Sequence, residues 1–127
     1  MEYIRHLGEQ YTSKMEDGML EALLGTVNKE RVLLYLFARD EGYPREVAKF
    51  YGADLRSIQN QFENLEVGRV LYSRLVGNTR LYAFNPRYPF LEELKALLDK
   101  ALSFYPDSER EQLVMVRKRP RRKGKPL

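Results

Sequence analysis

The chain contains no cysteine, which excludes disulfides and thiolate metal sites. Its single histidine, His6, removes multi-histidine metal sites and leaves little for histidine-dependent catalysis. Alone near a terminus, it reads as a solvated side chain. No uninterrupted apolar stretch approaches the length of a membrane span, so no membrane partner is expected. The opening "MEYIRHLGEQ" lacks the apolar core of a signal peptide, so the chain is expected to stay where it is made. No phosphate-cradling glycine loop, metal-ligand cluster or nucleophile–base pair is visible. An enzyme is therefore the least supported class, and neither cofactor nor metal is expected.

Charge of one sign is missing from the C-terminal end. The run "RKRPRRKGKP" holds Arg117, Lys118, Arg119, Arg121, Arg122, Lys123 and Lys125 with no acid among them. The formal net charge of the whole chain is +4, so residues 1–116 carry about −3 once these seven are set aside. Like charges at this density, with two prolines and a glycine, cannot form a core and are expected to be disordered when free. The segment is either a solubilising end or an arm that condenses onto phosphates. In a eukaryotic chain it would also fit a nuclear address.

What is present suits one domain with tails: an arm over 1–18, a folded unit over 19–105 and a basic tail over 106–127. "NKERVLLYLFARDEG", residues 28–42, carries seven consecutive apolar residues from Val32 to Ala38. On a helix this run is apolar around nearly the whole circumference, which predicts a central buried helix. Thr26 or Asn28 caps its start and Gly42 stops it. Ahead of it, Ser13 and Glu16 have capping-box spacing. Met15, Met19, Leu20, Leu23 and Leu24 form an apolar face, predicting a short helix that ends at Gly25.

In "YPREVAKFYGADLRSIQNQFENLE", Pro44 suits the first helical position, Gly52 breaks that helix and Asp54 caps the next. Two short helices with glycine at the turn match a helix-turn-helix, although any helical hairpin shows as much. On the second helix Leu55, Ile58, Phe62 and Leu65 share one face. Opposite lie Arg56, Asn60 and Glu63, flanked by Ser57, Gln59 and Asn64. Gln61, at the edge of the seam, is assigned a structural role. Taken singly, each outward residue is explained by solvation. As a set, Arg56, Ser57, Gln59 and Asn60 have the hydrogen-bonding groups that match base edges: amides against adenine, arginine against guanine. Glu63 and Glu66 are read as solvated positions.

After Gly68 the period changes. "RVLYSRLV" and "RLYAFN", separated by a turn that includes Gly77 and Asn78, predict a β-hairpin. A buried helix, a helix-turn-helix and a hairpin make a winged helix, a mainly α fold with a small β-hairpin. Arg74, Asn78 and Arg80 then sit on the wing, facing DNA backbone or minor groove. Surface ion pairing explains the two arginines equally well. Beyond Pro89, Phe90, Leu91, Leu94, Leu98 and Leu102 belong to an apolar stripe wider than a small winged helix is expected to cover. Exposed apolar area of this kind marks an interface. A homodimer through the helix 90–105, with 13–24 beside it, is the expectation.

With these parts in order, the chain resembles the ArsR-type winged-helix transcription regulators of bacteria and archaea. The likeness rests on "LLGTVNKERVLLYL", "YPREVAKFYGADLRSIQNQFENLEVGRVLYSR", "GNTRLYAFNP" and "YPFLEELKALL", together covering about residues 20–102. It implies a dimer whose 54–67 helices enter successive major grooves of a pseudo-palindromic double-stranded DNA site, with the helix after the wing as dimer contact; a cytoplasmic location is expected. Metal-sensing members bind effectors through Cys or His clusters, which this chain lacks, so a metal-responsive role is not implied.

The leading expectation is a dimeric sequence-specific DNA-binding regulator, a repressor or autoregulator. Arg56, Ser57, Gln59 and Asn60 would read bases, while Lys49, Arg74, Arg80 and the basic tail would hold phosphates. The alternative is a winged-helix protein-interaction module whose tail binds RNA or an acidic partner, a reading that the −3 body favours.

Overall fold

The structure is a computed structural model and describes residues 18–114. His6, the N-terminal arm, the Ser13–Glu16 capping pair and the basic run 117–125 lie outside the described residues. The order of elements is α1 (Glu21–Leu24), α2 (Val27–Arg39), β1 (Glu41–Gly42), α3 (Pro44–Tyr51), α4 (Leu55–Val67), β2 (Leu71–Val76), β3 (Thr79–Phe84) and α5 (Leu91–Leu102), followed by a helix over 107–114, α6. The three strands form one antiparallel sheet in the order β1-β3-β2. This is the mainly helical, winged arrangement that the sequence predicts.

Helix α2 is the axis of the core. The Thr26 hydroxyl accepts the Lys29 backbone N–H at 3.0 Å and opens it. Val32, Leu33, Leu34, Tyr35, Leu36 and Ala38 are all buried, as the uninterrupted apolar run requires. Each large side chain contributes about 1.5–3 kcal/mol by leaving water. The helix ends at Arg39, earlier than Gly42, because Asp40 turns the chain at φ 75°. Glu41 and Gly42 then pair with Ala83 and Tyr82 as β1, a two-residue strand too short to carry any period in sequence. Gly42 is required there, since a Cβ would lie 2.9 Å from the Tyr35 ring.

Helices α3 and α4 meet at Gly52, which adopts the left-handed conformation at φ 63° that glycine enters without steric penalty. Asp54 caps α4 by accepting the Ser57 backbone N–H at 2.9 Å. Ile58, Phe62 and Leu65 are buried, and α4 packs on both α2 and α3. Gln61, at the edge of this seam, is half-buried. Strands β2 and β3 pair from Leu71–Phe84 to Val76–Thr79, leaving Gly77 and Asn78 as a two-residue turn. Only Gly77 takes positive φ, at 64°, which is the glycine position of a II′ hairpin turn.

Two expectations are corrected by the C-terminal third. The stripe on α5 is largely covered by its own chain. Leu98 and Leu102 are buried in the same core as α2, Leu91 and Leu94 pack half-buried against it, and only Phe90 is freely exposed, at 61%. Part of the cover comes from the segment expected to open a disordered tail. Residues 107–114 are helical, Leu113 is fully buried, and its carbonyl accepts from Arg39 Nε at 3.2 Å. The folded unit therefore runs past 105, through the last described residue, 114. The only apolar residues of α6, Leu113 and Val114, come at its end, where the Arg39 bond to the Leu113 carbonyl helps hold them in place.

Candidate nucleic-acid interface

The outward side of α4 follows directly from its seam. With Ile58, Phe62 and Leu65 inward, Arg56 and Asn60 project into solvent, and Gln59 is half-buried toward the hairpin. Ser57 differs from expectation. Its hydroxyl donates to Asp54 Oδ2 at 3.0 Å while its N–H donates to the same oxygen. It acts as part of the helix cap, and with that bond kept its hydroxyl can accept from a base but not donate to one. The Ser57 N–H and hydroxyl hold the Asp54 carboxyl below its ordinary value, which favours the charged form that caps the helix.

A groove of about 350 Å³ runs between the start of α3, the side of α4 and the hairpin. Gln59 and Glu63 from α4, Asn78 and Arg80 from the hairpin and Arg45 from α3 all line it. Lys49 lines an adjoining cleft with Arg45 and Thr79. Arg45 is therefore the residue that joins Lys49's side to the groove. Sequence reading passed over it, although its place directly after the helix-opening Pro44, beside the wing, was available as a signal.

The hairpin is tied to α4 by side chains. Arg80 Nη1 donates to Ser73 Oγ at 3.0 Å, and Ser73 Oγ donates to Glu66 Oε2 at 2.7 Å. Glu66 thus fastens strand β2 to the end of α4, which its reading as a merely solvated position missed. Burial pushes the Tyr82 hydroxyl above its ordinary range, with Glu66 and Glu63 adding to the effect. Arg74 lies elsewhere, 3.8 Å from Glu41 on the short strand β1, with both side chains about half exposed. Pairs of this kind contribute only ~0–1 kcal/mol, so Arg74 remains easy to recruit by a stronger anion. The structure therefore gathers Gln59, Asn78, Arg80 and, next to them, Lys49, and leaves Arg74 apart.

Among the described residues no group of three or more His, Asp or Glu side chains is placed to hold a metal ion, and no helix is long and apolar enough to cross a membrane. No protein-family model matches this sequence. No curated protein matches it either. A solved structure does: MepR, a transcription regulator of the Staphylococcus aureus multidrug efflux pump MepA, is similar at 19% sequence identity and a TM-score of 0.55, over 88% of this chain and 89% of that one. The likeness does not single out the ArsR type. What it shows, together with the helix-turn-helix and hairpin described above, is the fold: this chain is a winged helix-turn-helix.

Proposed function

We propose that this protein is a dimeric, sequence-specific DNA-binding transcription regulator, a repressor or autoregulator, that places α4 in the major groove. The observation carrying this reading is the groove in which Gln59 of α4 meets Asn78 and Arg80 of the hairpin. It brings a base-reading amide and a backbone-gripping arginine onto one face, with Arg56 and Asn60 exposed beside them. Arg56, Gln59 and Asn60 read base edges. Lys49, Arg45 and Arg80, with the basic run Arg117–Lys125, neutralise phosphates and fix register. The fold shared with MepR, a transcription regulator, supports the same reading, and the ArsR resemblance adds the expectation of a two-fold symmetric site.

The dimer surface is revised from the buried seam of α5 to what α5 and its neighbours leave outside: Phe90 at 61%, Phe104 at 53% and Leu23 at 67% exposure. A second reading, a protein-interaction module with an RNA- or acid-binding tail, is favoured by one observation. Glu63 stands exposed on the very face that would meet DNA. Selection from a random duplex pool separates the two readings. Enrichment of an inverted repeat supports the regulator and its dimerism, whereas no enrichment makes the interaction module the better account.

A further inference from the structure

Glu63 and Val67 are exposed residues of α4 to which folding gives no evident task. Glu63 is exposed, and among the described residues no ion pair engages it. It stands three residues before Glu66, whose like charge repels it. Glu66 has a task in holding Ser73, and Glu63 has none of that kind. Val67, the last residue of α4, is 82% exposed, so it contributes little to the core.

Both residues fall on one stripe with Arg56 and Asn60. The spacings of four, three and four residues keep all four side chains within about 60° of arc at 3.6 residues per turn. The stripe lies opposite the buried Ile58, Phe62 and Leu65. At 1.5 Å per residue it is about 16 Å long, which matches about five base-pair steps of 3.4 Å.

We infer that Glu63 and Val67 are specificity-determining residues on this reading edge. Glu63 accepts from the exocyclic amino group of a cytosine, and Val67 packs on a thymine methyl. The inference rests on the DNA-reading proposal above and extends it to two positions. Its chemistry is the donor and acceptor pattern of the major groove, in which a carboxylate suits cytosine N4 and an apolar side chain suits the thymine methyl. A carboxylate cannot donate, so it also rejects the acceptor atoms O6 of guanine and O4 of thymine. Because it repels phosphates throughout the groove, it weakens binding to every sequence and is tolerated best where a cytosine amino group meets it.

The test is selection from a random duplex pool with the unmodified chain, Glu63→Gln and Val67→Ala, all three first shown to have the same melting temperature. Glutamine both donates and accepts, so Glu63→Gln is expected to lose cytosine preference at one base pair per half-site by on the order of 10- to 100-fold. Preferences elsewhere stay intact. In the enriched site, replacing the relevant thymine by deoxyuridine removes only the methyl. That replacement is expected to weaken the unmodified chain several-fold and leave Val67→Ala unaffected. If Glu63→Gln binds all sequences more tightly with unchanged base preferences, the carboxylate only repels backbone and its assignment is overturned. Equal sensitivity of both valine and alanine forms to deoxyuridine overturns the assignment of Val67. If the unmodified chain enriches no sequence, the DNA-reading proposal itself falls and takes this inference with it.

Discussion

The Tyr105 hydroxyl donates to Glu30 Oε2 at 2.9 Å, joining residues that lie 75 positions apart. Glu30 is fully buried, and its other carboxylate oxygen accepts the Leu20 backbone N–H at 2.9 Å. One carboxylate in the first turn of α2 therefore holds both the segment before it and the turn after α5. A hydrogen bond to a charged group contributes about 1.5–3 kcal/mol. Tyr105→Phe is expected to lower unfolding free energy by about that amount, with the slope of a urea titration unchanged. A loss under 0.5 kcal/mol would show that water replaces the hydroxyl without penalty.

The same carboxylate sets a pH dependence whose sign is fixed by its surroundings. Burial raises the Glu30 pKa above its ordinary 4.5, against the opposing effect of the Leu20 and Tyr105 hydrogen bonds, with Glu21 adding a smaller upward push. The folded state thus takes up the proton at a higher pH than the unfolded chain. Between the two pKa values the folded state binds more protons, so stability increases as pH falls through that window and declines as pH rises through it. Glu30→Gln is expected to remove this component and flatten melting temperature against pH above 4.5. An identical pH profile in Glu30→Gln and the unmodified chain would overturn the account.

Core and surface positions of α5 predict opposite behaviour. Leu98 is fully buried within the chain, so Leu98→Ala is expected to cost about 2–5 kcal/mol, independent of protein concentration. Phe90→Glu combined with Phe104→Glu changes exposed residues only. On the proposed dimer, that variant is expected to keep its fold by circular dichroism and to sediment as a monomer at concentrations where the unmodified chain is expected to be a dimer. A double variant that still sediments as a dimer would place the dimer contact elsewhere.

Much of the fold could be read from sequence because local patterns and tertiary packing agree in it. The apolar run Val32–Ala38 has no solvent-facing side to give up, so it had to be central. Thr26, Gly52 and Asp54 each act where their backbone or side-chain chemistry predicts. What sequence pattern does not contain is the identity of the surface that covers a given stripe. Leu98 and Leu102 advertised an apolar face, and what covers it is mainly the core around α2, to which the helix after α5 adds Leu113. Glu30 reads as an ordinary first-turn acid, because burial through Leu20 and Tyr105 depends on residues far along the chain. At the candidate interface, sequence placed Arg56 and Asn60 outward correctly. The capture of Ser57 by Asp54 and the meeting of Gln59 with Asn78 and Arg80 needed three dimensions.

The proposed division of labour between α4 and the basic tail is the last prediction. If the tail only neutralises phosphates, truncation after Met115 should weaken binding to every duplex alike. It should also flatten the salt dependence, since each lost phosphate contact removes about 0.9 from the slope of log K against log salt. Preference for the selected site over random DNA should survive. Asn60→Ala and Gln59→Ala should behave in the opposite way. Each removes a base contact and should lower discrimination by about 1–3 kcal/mol, with the salt slope nearly unchanged because no phosphate contact is lost. Arg56→Ala is expected to show both effects, since an exposed arginine at the start of α4 reaches base or backbone. All five proteins are measured on specific and random duplexes across a salt series. Full discrimination retained by both amide variants would mean that the outward face of α4 is only solvated, and the protein-interaction reading would then account better for Glu63 on that face.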